Sequence, residues 1–244
     1  MGTVITVTSG KGGTGKTSIS GAVAGSLSLM DRWVLCFDMD IGLRNLDISL
    51  GLNDRALMDF SDVALGRCPL AGAVVPHPTL KGLSLLTSPM SLPASLTPEK
   101  IRALLDTARG MYDYILIDSP AGLGAGFRLA ICGADRAVVV ATNDASSLRD
   151  AQRTVSELEH MRQVHLVMNR IQTKLLRRLR ATIDDAMDAA GLPLIGVVPE
   201  DPYVILCANL GQPLTDRGKR GAALACWNIA RRLEGQRVPI MRIR

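Results

Sequence analysis

Gly10, Lys11, Gly12, Gly13, Thr14, Gly15, Lys16 and Thr17 follow directly on the apolar run at residues 4–8. Two glycines with four residues between them, then Lys and Thr, between a strand and a helix, form the pattern of a phosphate loop. Glycines without side chains let successive N–H groups turn inward as an anion nest, and a helix starting near Lys16 adds its positive end. Lys16 can then reach the β- and γ-phosphates, the Thr17 hydroxyl can ligate Mg²⁺, and Ser18 closes the loop. This spacing predicts a nucleoside triphosphate site, with ATP/ADP and Mg²⁺ as cofactors. The general pattern does not require Lys11. With Lys16 serving its own chain's phosphates, Lys11 is free to point elsewhere.

Carboxylates stand where this chemistry needs them. Asp38 and Asp40, two residues apart at a strand end, face the same way, toward the loop. Asp40, further out, suits the attacking water, and Asp38 suits the metal or the loop. The apolar run Tyr114-Ile115-Leu116-Ile117 ends in Asp118, the form of a Walker B strand that holds Mg²⁺ through water. Lys11, Lys16 and Asp40 are thus the candidate catalytic groups, and Thr17, Asp38 and Asp118 the candidate metal groups. For the base, the Asn169 amide beside Arg170 can pair with a purine edge, and main-chain groups at Pro199-Glu200-Asp201 can read its rim.

Apolar β-branched runs alternate with helical patterns along nearly the whole chain. Strands are predicted at residues 3–8, 34–38, 83–87, 114–118, 136–142, 164–169 and 194–198. Helices are predicted at 16–30, 57–65, 98–110, 124–132, 146–161, 178–190 and 217–233. Such alternation indicates a doubly wound, mainly parallel α/β sheet flanked by helices, with ligand loops at the strand C-terminal ends. The 244 residues, 47% hydrophobic but 3% aromatic, suit aliphatic parallel strands in a single domain spanning residues 1–244. The five scattered cysteines contain no Cys-x-x-Cys pair, which argues against a disulfide framework or zinc site. No apolar run reaches membrane-span length and the N-terminus enters a strand directly, so the reading predicts a cytosolic protein. Residues 161–244 carry 14 Lys and Arg against 7 Asp and Glu, which invites an anionic membrane surface or nucleic acid as partner.

The two-lysine loop resembles the deviant Walker A motif of the MinD/ParA ATPases. So do Asp40-Ile41-Gly42-Leu43-Arg44-Asn45-Leu46-Asp47, Asp118-Ser119-Pro120-Ala121-Gly122, Ser146-Ser147-Leu148-Arg149-Asp150-Ala151 and Val198-Pro199-Glu200-Asp201. The likeness covers roughly residues 1–233 and is to the MinD branch. It implies an ATPase that forms a homodimer when ATP-bound, with Lys11 crossing the interface and Asp40 as the hydrolytic residue. Pro120-Ala121-Gly122 would be the switch that senses the γ-phosphate, and 169–170 and 199–201 the base contacts. It further implies reversible attachment to the inner face of the cell membrane and recruitment of a MinC-like division inhibitor. Release would come through a topological factor, MinE- or DivIVA-linked. Ser147, Arg149, Asp150 and Arg153 are its candidate partner surface. A ParA-type DNA- or cargo-partitioning ATPase and a flagellar-number regulator stay open as alternatives, and an iron-protein relative is disfavoured by the cysteine spacing. One departure concerns the tail at 235–244, where residues 240–244 alternate Ile or Met with Arg over too short a stretch for an amphipathic helix. The basic, amphipathic segment 174–180 is a candidate substitute, with a solvated helix face as the alternative.

Overall fold

Aliphatic runs bounded by Asp, Gly and Pro become the strands of one eight-stranded sheet in the structure, a computed structural model that describes residues 1–243. In chain order the strands are β1 (Thr3–Thr8), β2 (Val34–Asp38), β3 (Val75–Pro76), β4 (Leu83–Leu86), β5 (Tyr114–Asp118), β6 (Arg136–Thr142), β7 (Gln163–Ile171) and β8 (Leu194–Pro199). They lie side by side as β3-β4-β2-β5-β1-β6-β7-β8. All pair in parallel except β3, which runs antiparallel to β4 at the edge. A two-residue strand containing Pro is confined to such an edge, because Pro has no N–H to give a ladder.

The helices are α1 (Lys16–Ser28), α2 (Asn45–Leu50), α3 (Phe60–Ala64), α4 (Leu70–Ala73), α5 (Pro98–Arg109), α6 (Ala125–Ile131), α7 (Ala145–Glu157), α8 (Thr173–Leu179), α9 (Ile183–Ala190), α10 (Pro202–Asn209) and α11 (Gly221–Leu233). Alternate strand residues feed opposite cores. Ile5 and Val7 of β1 pack with Leu27 of α1 and Ile229 of α11 on one face. Val4 packs with Ile101 and Leu104 of α5 on the other. There Phe37 meets Phe60 edge-on, with ring centroids 5.1 Å apart. Beside them Val139 and Leu166 are covered by Ala151 of α7 and Ala190 of α9. Each fully buried side chain of Leu or Ile size contributes about 1.5–3 kcal/mol, so the two-sided core holds the central strand β1, and the loop leaving it, in place.

The strands at 3–8, 34–38, 114–118 and 136–142 stand as predicted, and the other predicted strands differ by one or two residues at an end. The helices differ more. The stretch predicted at 178–190 begins earlier and is broken in two. Arg180 takes a left-handed conformation, and Thr182 starts α9 with a capping box to Asp185. Asp185 N–H donates to the Thr182 hydroxyl at 3.1 Å, and Thr182 N–H to the Asp185 carboxylate at 2.7 Å. The helix predicted from 217 begins at Gly221, after a 3-10 turn at Leu214–Arg217. The one predicted from 57 begins at Phe60, because Asp59 caps it and leaves Leu57 exposed. Among the described residues, no helix is long and apolar enough to cross a membrane. Past Leu233 the described chain forms no helix. Arg232 holds it by donating to the carbonyls of Val238 and Pro239, at 3.0 and 2.6 Å. Met241 packs against the central core and Ile243 against the α7–α9 cluster. Arg244 of the predicted tail lies outside the described residues.

Candidate functional site

The C-terminal ends of β1, β2, β5, β7 and β8 converge on one hollow with an apolar pocket beside it. At the end of β1 the chain turns through Gly13 and Gly15, both at positive φ, and enters α1 with Gly15 as its N-cap. A side chain at Gly15 would meet the Asn169 amide, so only glycine fits this turn. The first amide of α1 with a helical partner is Ile19 N–H, which donates to the Gly15 carbonyl at 3.0 Å. The N–H groups of Lys16, Thr17 and Ser18 are left for a ligand. The Thr14 hydroxyl is buried without a partner, a second sign that the loop is shaped for a hydrogen-bonding ligand.

Lys16 is buried, only 6% exposed, and lines the hollow with Gly12, Gly13, Gly15, Thr17, Ser18 and Asp40. Asp118 lies beneath. It accepts hydrogen bonds from the Thr17 hydroxyl at 2.6 Å and the Ser20 hydroxyl at 3.0 Å. Burial pushes the Asp118 carboxyl up to about 6 against the pull of Thr17 and Lys16. Asp38, paired with Asp118 across β2 and β5, is raised further, to about 8, by burial and then by the Asp118 charge. Two neighbouring buried carboxylates beside a hydroxyl form a hard-oxygen set suited to Mg²⁺, which prefers few protein ligands and keeps its waters. Thr17 and Asp118 fit that ion. Among the described residues no cluster of three His, Cys, Asp or Glu could hold a metal alone.

Asp38 contributes differently. Its carboxylate accepts from the Asp40 N–H at 2.8 Å and the Leu46 N–H at 3.4 Å, so it shapes the loop that presents Asp40. Asp40 is half-buried. Burial raises its carboxyl and the nearby Lys16 charge opposes that rise. An acid raised toward neutrality, next to a phosphate-binding lysine, is equipped to orient and deprotonate a water.

The base-side residues come together as predicted. Asn169, Arg170, Pro199, Glu200 and Asp201 line one pocket with Gly15 and Ser18, walled by Ile19, Val198, Val204 and Cys226. The pocket exists because the β7–β8 register slips between Met168 and Ile171, which frees Asn169 and Arg170 from pairing with β8, and Arg170 takes φ 55°. Two roles change. One Asn169 amide proton is already spent on the Thr14 carbonyl at 2.8 Å, so this residue ties β7 to the loop first. Both Asp201 oxygens are structural, one capping α10 through Tyr203 N–H at 3.0 Å and the other taking Ala222 N–H at 2.9 Å.

Lys11 lies outside the phosphate hollow. Its ammonium pairs with Asp144 at 2.9 Å and donates to the Ser146 hydroxyl at 2.8 Å, at the start of α7. Partial burial works against the Asp144 charge, but hydrogen bonds from Ser146, Thr142, Lys11 and Ser147 N–H hold its carboxyl far below the usual range. Gly10 is glycine for the same neighbour, since a side chain there would strike the Asp150 backbone of α7. Ser147, expected on a partner surface, is 2% exposed; its hydroxyl accepts from Thr142 N–H at 2.9 Å, closing the turn that starts α7. Arg149 and Arg153 are exposed and Asp150 partly so.

A parallel α/β sheet with this loop, Thr17–Asp118 pair and base pocket defines a P-loop nucleoside triphosphatase. The CobQ/CobB/MinD/ParA nucleotide-binding domain model matches residues 5–222. The septum site-determining protein MinD of Synechocystis sp. is 37% identical, covering 99% of this chain and 92% of that protein. Among solved structures, the MinC:MinD cell division protein complex of Aquifex aeolicus has a TM-score of 0.92 at 37% identity, covering 98% of each chain. MinD of Pyrococcus horikoshii complexed with Mg-ADP has a TM-score of 0.84 at 28% identity, covering 96% of each. The chain belongs to the MinD/ParA family of nucleotide-binding ATPases, in its MinD branch.

Proposed function

We propose that this ATPase is a dimerisation switch in division-site placement. It forms a homodimer on binding ATP, associates reversibly with the inner membrane face, and is reset by hydrolysis. The arrangement of the two lysines carries this reading. Lys16 is committed to the phosphates of its own chain, whereas Lys11 sits outside that hollow on a contact that a phosphate of a second copy could replace. Exposed Leu43 and Ile48 on the hollow's rim, with Ile205 and Leu206 on α10, offer an apolar surface for that copy. Bound Mg²⁺ would supply neutralisation of the phosphate oxygens. Lys16 and the loop N–H groups hold the triphosphate in line, Asp118 and Thr17 fix the loop, and Asp40 orients the water.

Arg149 and Arg153 on α7 are the side chains for a MinC-like inhibitor, a reading supported by the Aquifex aeolicus complex. A MinE- or DivIVA-linked factor rests on the sequence resemblance alone. For the membrane, α8 buries no residue and exposes Leu175 and Leu179 among Lys174, Arg177 and Arg178. The test is light scattering and vesicle sedimentation with ADP and with a non-hydrolysable ATP analogue. The wild type should double in mass and sediment with anionic vesicles only with the analogue, and Lys11→Ala should do neither. Analogue-dependent retention on DNA instead of vesicles would favour a ParA-type role, and an unchanged monomer would remove the switch.

A further inference from the structure

The first residues of β5, β6, β7 and β8 open onto a second cavity, at the end of the sheet opposite the phosphate loop. Its volume is about 650 Å³ and its wall includes Tyr114, Arg136, Arg162, His165, Arg232 and Glu234. Three guanidiniums face one carboxylate, and Arg32, outside the wall, already takes Glu234 at 2.6 Å. Arg232 is spent on the carbonyls of Ile195, Val238 and Pro239 and contributes only its charge. Arg136 gives one nitrogen to the Leu233 carbonyl at 3.2 Å and keeps its remaining donors. Arg162 is exposed and has no ion-pair partner among the described residues.

His165 is the second, independent observation. Its Nδ1 is buried without a hydrogen-bond partner. Burial and the Arg136 charge lower its pKa, so the ring is neutral near pH 7. A neutral ring carries one N–H, and an orphaned buried donor is costlier than an orphaned lone pair. The proton therefore belongs on the other nitrogen, which adds a donor to a wall whose one carboxylate, Glu234, is already paired with Arg32.

We infer that this cavity is a second anion site, one that takes a phosphomonoester or phosphodiester group between Arg136, Arg162 and His165. Two guanidinium forks match tetrahedral phosphate oxygens, and a neutral imidazole N–H adds a directional donor without more repulsion. The site is separate from the nucleotide pocket, so it stands whether or not ATP drives dimerisation.

Protein saturated with ADP and Mg²⁺, to block the phosphate loop, is titrated calorimetrically with glycerol 3-phosphate and, in a second arm, sedimented with phosphatidylglycerol vesicles. Variants are Arg162→Gln, which removes an exposed side chain, and Arg136→Gln/Arg162→Gln. Saturable binding in either arm is expected to weaken about tenfold or more in Arg162→Gln and further in the double variant, with the melting temperature of Arg162→Gln unchanged. Loss in the first arm assigns the site to a free phosphate ester, and loss in the second alone to a lipid headgroup. No saturable binding in either arm, or equal binding by wild type and double variant, overturns the proposal.

Discussion

Single side chains at the phosphate hollow divide the labour of one reaction, and their surroundings say which does what. Asp40 alone among its acids is half-buried, raised, and within the field of Lys16. Asp40→Ala should therefore lower phosphate release by at least about a hundredfold while leaving nucleotide uptake intact. Single-turnover hydrolysis beside equilibrium binding separates the two, and equal losses in both would mean that Asp40 only shapes the loop. Asp38 makes a different prediction, because its native carboxyl sits at about 8, above the ordinary value near 4. Between those limits the native state holds a proton that the unfolded state has lost. Stability from this group is thus full below about pH 4 and is lost as pH rises through about 8. In nucleotide-free protein, Asp118, raised to about 6, adds to the same fall. Urea midpoints should drop between about pH 5 and about pH 8.5, and Asp38→Asn, which cannot ionise, should remove most of that drop. A midpoint that rises with pH would contradict the burial of this pair. Residue types were the part most open to inspection in the sequence, since the loop, both aspartates of β2 and Asp118 announce themselves by spacing. Ser147 was not, because whether a helix-start serine faces solvent or closes its own turn depends on Thr142, which the spacing does not reveal.

At the scale of elements, the strands were legible because parallel strands buried on both faces are continuous apolar runs. β1, β2, β5 and β6 each end in a polar residue, Thr8, Asp38, Asp118 and Thr142, of which the first three are still buried. Short helices were missed for local reasons. The chain enters α2 from Arg44 in a left-handed conformation, a start without Ser, Thr or Asp at the cap. α10 did carry a signal in Asp201-Pro202, a capping carboxylate followed by Pro at the first helical position. The slip in β7 that frees Arg170 left no trace, since a bulge is a property of the pairing with β8. α7 joins the elements to the site, for Asp144 both caps it through Ser147 N–H at 2.9 Å and anchors Lys11. Asp144→Ala should cost about 1 kcal/mol as a lost cap, or about 2–4 °C in melting temperature for a chain of this size. It should also free Lys11, so that ATP-analogue dimers form at lower protein concentration. If the variant melts lower yet dimerises as before, the Lys11 contact is a bystander and only the cap matters.

The whole molecule places its two chemistries on one edge of one sheet, and that arrangement separates binding from assembly. The hollow that holds the phosphates is made by a single chain, with Lys16, Thr17 and Asp118 all in place. Nucleotide should therefore stabilise the monomer by itself, by about 2.7 kcal/mol at a hundredfold excess over its dissociation constant. That increment is independent of protein concentration and should appear equally with Mg·ADP and in Lys11→Ala. Assembly adds a second increment only if two copies close over the nucleotide, and mass action makes such an increment grow with protein concentration. The wild type with Mg²⁺ and a non-hydrolysable ATP analogue should thus show a melting temperature that climbs with protein concentration. The same protein with Mg·ADP, and Lys11→Ala with either nucleotide, should show one that does not. Differential scanning calorimetry across a wide range of protein concentrations reads both terms in one series. A concentration dependence that survives in Lys11→Ala would place the contact between copies on some surface other than the loop, and would leave Lys11 with no role beyond its pair with Asp144.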